Sequence, residues 1–137
     1  MNWARVAMAG FAGFVFYFVF GGLCFKLVPS LKDAFSKFPS VYRSQEGIKS
    51  VMPVGMAAML MAILVLAVLY AMSYQGGFGL AEGARFGALI GLFAVGSFVV
   101  HNYVNLNIDA ALTIQQSVVY FVQWVLVGVV IGAIYRK

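Results

Sequence analysis

Four long stretches of the sequence carry no Asp, Glu, Lys or Arg, and they limit the possible folds more than any other feature. About 20 apolar residues in a helix cross a hydrocarbon core of about 30 Å. The whole chain is 64% hydrophobic and 9% charged, whereas soluble domains average about 25% charged residues. We therefore predict four transmembrane helices, over residues 6–25, 51–74, 86–106 and 112–135.

These spans predict an all-α fold, an integral membrane antiparallel four-helix bundle that forms one domain over residues 1–137. The longest polar segment, residues 26–50, contains Leu31, Phe35 and Phe38 at helical spacing. Ser30 and Asp33 have the spacing of a capping box, and Pro39 would end the helix. We expect a short amphipathic helix over residues 31–38. It lies either in the headgroup plane or against the ends of the bundle.

Glycines recur every four residues from position 79 to position 91, a stretch that leads into the third span. Small residues at this spacing allow helix backbones to approach closely inside lipid, where close packing replaces the hydrophobic effect. A hairpin turning near residues 107–109 would bring Gly83 to the depth of Gly132 and Gly87 to the depth of Gly128, with Gly10 and Gly13 of the first span at a similar depth. We predict glycine-zipper packing at Gly10, Gly13, Gly79, Gly83, Gly87, Gly91, Gly128 and Gly132.

Two opposite charges, Glu82 and Arg85, lie among these glycines three residues apart. Residues at this spacing are neighbours on a helix surface. A glutamate is also favourable near a helix N-terminus. We expect an ion pair at the membrane interface, and the alternative is a site for an ion or a proton.

Polar residues gather at the other end of the predicted hairpin. Their helical spacing predicts a polar face formed by Ser97, His101, Asn105, Gln116, Tyr120 and Gln123. A buried amide needs hydrogen-bond partners inside a membrane. The face therefore either joins the helices by hydrogen bonds or forms a pocket for a quinone headgroup, a lipid or a small solute. His101 is the single histidine, so haem would need a ligand from a second copy, and we expect no cofactor and no metal.

The net charge of +5 does not indicate nucleic acid, because the basic residues flank the spans. Anionic lipid headgroups are the partner that this placement favours. The sequence offers no nucleophile–base–acid set and no metal cluster, which predicts a protein that is not an enzyme. Basic residues are almost equally numerous on the two sides; Arg5, ahead of the first span, favours both termini in the cytoplasm.

The stretches MNWARVAMAGFAGF, GLAEGARFGALIGLF and VLVGVVIGAIYRK resemble small bacterial four-helix inner-membrane proteins of unknown function. The resemblance implies a bacterial inner-membrane location and no assigned activity. The leading hypothesis is an accessory or scaffold subunit that contacts partner membrane proteins or its own copies. The alternative is a small carrier, or a protein that binds a lipid or quinone-type ligand at the polar face of spans three and four.

Overall fold

A computed structural model of the protein describes residues 1–136, which form helices joined by short connections and contain no strand. The elements in chain order are α1 (Trp3–Leu27), α2 (Pro29–Lys37), α3 (Gln45–Ser73), α4 (Gly79–Ala94), a π-helical segment (Val95–Val100), α5 (His101–Asn105) and α6 (Ala110–Ile134). The predicted all-α class is confirmed.

The π segment and α5 continue α4, so that residues Gly79–Asn105 form one rod. This rod and helices α1, α3 and α6 are each long and apolar enough to cross a membrane. The rod begins seven residues before the predicted third span, because the glycine-rich stretch that precedes Phe86 is itself helical.

Three of the long helices begin at a polar side chain that accepts a hydrogen bond from the first turn. Asn2 accepts from the Arg5 N–H at 3.1 Å, Ser44 from Gly47 at 3.2 Å, and Asp109 from Leu112 at 2.8 Å. The first N–H groups of a helix have no partner within the helix, and such caps supply one. The starts of α1, α3 and α6 are therefore set locally by the sequence.

The short helix α2 begins without the predicted capping box. Its N-cap is Val28, Pro29 is the first helical residue, and no side chain caps the end. Proline suits this position because its fixed φ is helical and it has no N–H to leave unpaired, while the residue before it is held extended. Ser30 is consequently inside the helix. Buried Ala34 packs with Ile108 and Leu112, so α2 lies against the end of the protein.

The main core lies where α1 packs against both α3 and α6. Val6 and Ala9 from α1, Ile63 and Ala67 from α3, and Ile131 from α6 are buried there. Gly10 and Gly13 allow these helices to approach: a Cβ on Gly10 would lie 3.2 Å from the Leu64 Cα, and one on Gly13 would lie 3.1 Å from Ile63 Cγ2. Small residues thus bring α1 close to both neighbours.

Helices α4 and α6 form the closest contact in the protein. A Cβ on Gly128 would lie 2.6 Å from the Gly87 Cα, and one on Gly132 would lie 2.9 Å from the Gly83 Cα. Real Cβ atoms essentially never approach so closely, so these positions admit no side chain without a shift of the backbone. Along α4, each successive glycine contacts an α6 residue with a lower residue number: Gly79 contacts Gly132, and Gly91 contacts Phe121. These two helices therefore run in opposite directions. The pairs are those that the hairpin register predicts.

Helix α3 meets α4 only at one end of the rod. There the Tyr70 hydroxyl donates to the Gly79 carbonyl at 3.2 Å, and the Tyr70 ring contacts Phe86 edge-on, with 5.4 Å between centroids. Gly76 makes the turn between the helices with φ of +92°, a conformation that a side chain would strain. Beyond this end α3 packs along α1, which leaves room between α3 and the rest of the rod.

Candidate ligand-binding cavity

The room between α3 and the rod is a cavity of about 430 Å³, here called the central cavity. This volume lies within the range of about 300–1,000 Å³ that is usual for small-molecule sites. Its wall is apolar and aromatic with a few amides and hydroxyls, and it is formed by Tyr17, Tyr42, Met59, Ala62, Ala94, Phe98, Val99, Asn102, Leu106, Ile108, Gln116, Tyr120 and Trp124. All four long helices contribute to it.

The π segment determines which side of the rod faces the central cavity. The buried residues of α4 end at Ala94, and the next buried residue of the rod is Val99, five positions later. A π turn accommodates one more residue than an α turn, so the residues after it are rotated relative to a continuous α-helix. As a result Val99 and Asn102 line the cavity, and Asn102 is a lining residue that α-helical spacing did not predict.

The same rotation explains why half of the predicted polar face is not assembled. Ser97, His101 and Asn105 are all exposed, and none of them lines the central cavity. The Ser97 hydroxyl donates to the Phe93 carbonyl of its own helix at 2.6 Å. The prediction assumed α-helical spacing through residues 95–100 and was wrong for these three residues.

The half of the polar face on α6 does reach the interior. Gln123 is 3% exposed, and its Nε2 donates to the Tyr17 carbonyl of α1 at 2.8 Å. Gln116 Nε2 donates to the Tyr42 hydroxyl at 3.2 Å. Tyr120 lines the central cavity. Gln123 therefore joins two helices, as the hydrogen-bonding alternative expected, whereas Gln116 and Tyr120 are also available to a pocket.

A second, smaller cavity of about 250 Å³, here called the side cavity, lies between α1, α2 and α6. It shares Tyr17, Tyr42, Gln116 and Tyr120 with the central cavity. Gly22 borders it, and a Cβ placed there would meet no atom within 4 Å. The four shared side chains thus form a polar partition between two largely apolar spaces.

Trp124 is the residue of the central cavity with an unmet hydrogen-bonding group. The side chain is 8% exposed, and its indole Nε1 is buried without a hydrogen-bond partner. Its ring lies against Tyr17, with 5.3 Å between centroids. A buried donor without a partner costs about 1–3 kcal/mol. Trp124 is not among the residues predicted for the polar face, although Gln116, Tyr120 and Trp124 follow one another four apart and so share a helix face.

The predicted ion pair between Glu82 and Arg85 is not formed. Glu82 Oε1 instead accepts a hydrogen bond from the Gly77 backbone N–H at 2.9 Å. Glu82 therefore holds the turn that leads into α4 and is turned away from Arg85. Within residues 1–136 the one ion pair joins Lys37 of α2 to Asp109.

The Lys37–Asp109 pair fastens α2 to the start of α6, close to both cavities. The Lys37 ammonium donates to Asp109 Oδ2 and the Leu112 backbone N–H donates to Oδ1, and these bonds lower the pKa of the Asp109 carboxyl below its usual value. Tyr42, just after α2, lines both cavities. The segment that follows α1 thus closes one end of the site.

Residues 1–136 contain no group of three or more His, Cys, Asp or Glu side chains that could hold a metal ion. Comparison of the chain with protein-family models, curated proteins and solved structures finds no match. The predicted resemblance to small bacterial four-helix membrane proteins stays a prediction. The site must therefore be interpreted from its own geometry, which is that of an apolar cavity with a few convergent polar groups.

Proposed function

We propose that this protein spans a membrane four times as an antiparallel bundle and binds an apolar or amphiphilic small molecule in the central cavity. The rod and helices α1, α3 and α6 would be the spans. Large apolar side chains point outward from them, among them Val54 at 72% and Met72 at 71% exposed. Soluble monomers rarely expose contiguous apolar surface of this extent, whereas lipid chains cover it.

The proposed location is the bacterial inner membrane with both termini in the cytoplasm. Arg5 at the start of α1 donates to the backbone carbonyl of Arg136, which places residues 5 and 136 at the same end of the protein. The charges of Arg5 and Arg136 favour the cytoplasmic side at this end. The loop that carries α2 would then face the opposite side.

The central cavity is the observation that supports a binding function. An interhelical space lined by apolar and aromatic side chains, with a few polar groups to orient a ligand, is the usual form of a small-molecule site in a helical bundle. An accessory subunit that acts only through its outer surface has no need of such a space. Helices that packed as closely here as α4 and α6 do elsewhere would leave no cavity.

A route into the central cavity from lipid lies between α3 and the π segment. Met59 and Ala62 border the cavity on the α3 side, and Phe98 borders it on the rod. Ala62 is exposed, and Phe98 is 62% exposed. A molecule dissolved in the bilayer could therefore enter sideways without crossing the polar ends of the protein.

The experiment is to identify what the protein retains on purification. The protein is isolated from native membranes in mild detergent, and small molecules are extracted and identified by mass spectrometry. We expect one class of apolar or amphiphilic molecule at a fixed ratio to protein. Its amount should fall at least tenfold in Ala62→Phe, which fills the cavity, and stay unchanged in Gly96→Leu, at a position where a Cβ meets no atom within 4 Å. Equal retention by the two variants would refute binding in this cavity.

The accessory or scaffold function is the second candidate, and one surface favours it. Helix α3 packs mainly against α1, and its outer face presents Met52, Met56, Met61, Val65 and Met72. Methionines adapt to varied partners. A photoreactive residue at position 61 should form adducts with one partner protein, or with a second copy, in native membranes. Adducts with lipid alone would rule out contact through this face.

The glycines do not support this second candidate. A glycine groove on the third span would favour an accessory function only if part of it stayed open to another subunit. In the structure Gly79, Gly83, Gly87 and Gly91 are all buried, and all four meet α6. The groove is therefore occupied within the protein and leaves no surface for another subunit.

A further inference from the structure

The wall of the central cavity carries no charged side chain. Its polar groups are the hydroxyls of three tyrosines, the amides of Asn102 and Gln116, and the indole N–H of Trp124. An ion transferred into such a space without a partner is strongly disfavoured. A ligand that fits must therefore be neutral in the part that enters the cavity.

The unmet Trp124 N–H specifies what this neutral part must carry. The indole nitrogen can only donate, so the ligand needs an acceptor oxygen. A bond to a carbonyl or hydroxyl oxygen would satisfy the one buried indole donor in the described chain that has no partner. Neighbouring atoms cover Nε1 in the structure, so the ligand must displace part of the wall to reach it. Binding will thus change the surroundings of the Trp124 ring directly.

The shape and chemistry of the wall favour a ring over a flexible chain. Five of its side chains are aromatic: Tyr17, Tyr42, Phe98, Tyr120 and Trp124. Aromatic faces carry negative charge density, so they stack favourably on a planar ring whose electrons are withdrawn by carbonyl groups. The gap between α3 and the π segment then offers an apolar tail a way out into lipid, since Ala62 and Phe98 at its edges are both exposed.

Resting on the proposed function, we propose that the ligand is a quinone-type lipid: a neutral carbonyl-bearing ring with an apolar tail. The ring lies among the aromatic side chains of the central cavity, and a ring oxygen accepts from Trp124 Nε1. The tail leaves between Ala62 and Phe98. No group in the site is assigned a redox step, and the inference concerns binding alone.

The first test uses Trp124 as its own reporter. The chain has two tryptophans, and Trp3 is 64% exposed at the other end of α1, so Trp3→Phe leaves Trp124 as the only emitter. This variant in lipid nanodiscs is titrated with three probes that share a ten-carbon tail: a substituted benzoquinone, a monoacylglycerol and an alkyl phosphate. We expect saturable quenching by the quinone. The other two probes do not quench tryptophan, so their affinities are measured by displacement of the quinone, and we expect them to be at least tenfold weaker.

Ala62→Phe and Ala62→Leu, placed in the same Trp3→Phe background, separate specific quenching from collisions in the lipid phase. Both fill the cavity mouth, and the smaller side chain serves if the larger one prevents folding. We expect them to abolish the saturable component, whereas Gly96→Leu keeps it. Trp124→Phe, measured by equilibrium partition of the quinone, should lower its affinity about five- to tenfold, as the loss of one hydrogen bond does.

The outcomes distinguish this inference from the function on which it rests. If the monoacylglycerol binds as tightly as the quinone and displaces it, the cavity binds amphiphiles but the ring assignment is wrong. If the alkyl phosphate binds best, the argument from the uncharged wall is wrong. If Trp124→Phe binds the quinone unchanged, the indole is not the donor. If no probe gives saturable quenching, and extraction finds nothing retained, the binding function itself is refuted.

Discussion

Gly128 and Gly87 pack backbone against backbone: a Cβ on Gly128 would lie 2.6 Å from the Gly87 Cα and 2.7 Å from its nitrogen. This contact holds α6 and the rod together at the end of the protein away from the central cavity. The rod and α6 thus pack closely at one end and border the central cavity at the other. The first half of the rod presents glycines to α6, whereas the second half presents larger side chains that line the cavity.

Gly128→Ala should destabilise the protein by about 1–3 kcal/mol, because the added methyl forces apart two backbones that cannot give way individually. Gly55→Ala is the matched control, since a Cβ there meets nothing within 4 Å and alanine favours the helix by about 1 kcal/mol. Thermal unfolding in detergent should therefore move in opposite directions for the two variants. A melting temperature for Gly128→Ala equal to or above that of Gly55→Ala would contradict the backbone contact.

Deletion of Gly96 should leave the direction of the rod's side chains unchanged. Removing one residue converts the π turn into an α turn, after which Val99 lies four rather than five positions beyond Ala94 and still faces inward. Single cysteines at positions 99 and 101, in a Cys24→Ala background, report this by reaction with a water-soluble thiol reagent. We expect protection at 99 and reaction at 101, with or without Gly96.

In a continuous α-helix the same deletion rotates every later residue by about 100°. Exposure of position 99 on deletion would therefore show that the segment is not π-helical. Deletion of Leu89, well inside α4, is the positive control for such a rotation.

Gln123→Leu should destabilise the protein modestly, by about 0.6 kcal/mol, which is typical of an interhelical hydrogen bond in a membrane. The change removes the bond to the Tyr17 carbonyl. Gln115→Leu makes the same substitution where the amide oxygen is buried and has no partner, so we expect no loss of stability and a small gain. Unfolding measured by denaturant titration should rank Gln115→Leu above the unchanged protein and Gln123→Leu below it; the reverse order would contradict the assigned bonds.

The Lys37–Asp109 pair should hold α2 in place from about pH 4 through neutral pH and weaken below about pH 4. The Asp109 carboxyl has a pKa below its usual value of 3.8 in the folded protein. Its contribution to stability is therefore fully present above the unfolded pKa and is lost as the pH falls through the folded pKa. NMR titration of the labelled carboxyl should show this lowered pKa, and Lys37→Met should raise it towards 3.8. An unchanged titration in Lys37→Met would show that the ion pair does not form in solution.

Reporter fusions test the proposed orientation. A reporter after Lys137 should indicate the cytoplasm, and one inserted within residues 40–44 should indicate the opposite side. Residue 136 lies beside Arg5, whereas residues 40–44 follow α2 at the end that carries Asp109. Reports of the same side would exclude four spans, and exchanged reports would reverse the orientation while leaving the fold intact.

The sequence by itself determined the all-helical class, the four long apolar helices and the register of the glycines. In the bilayer that we propose surrounds them, apolar runs of about 20 residues have few alternatives to a helix, because each N–H and C=O must then be paired within the segment. The register of Gly83 and Gly87 against Gly132 and Gly128 followed from a tight turn near Asp109, since a short connection fixes which residues lie at one depth. Each of these properties depends on one segment or on one turn.

The composition of the cavity was decided only by the tertiary structure. The local sequence VGSFVV, residues 95–100, does not predict a π turn. That turn nevertheless rotates the rod so that Asn102 lines the central cavity and His101 does not. Tyr17 and Tyr42 come from α1 and from the loop after α2, and no spacing in the sequence relates them to Trp124. Glu82 bonds to the Gly77 N–H rather than to Arg85 because the turn before α4 brings that donor within reach. A helix turn can be rotated by one residue at little cost, so the packing of its neighbours decides which side chains face inward.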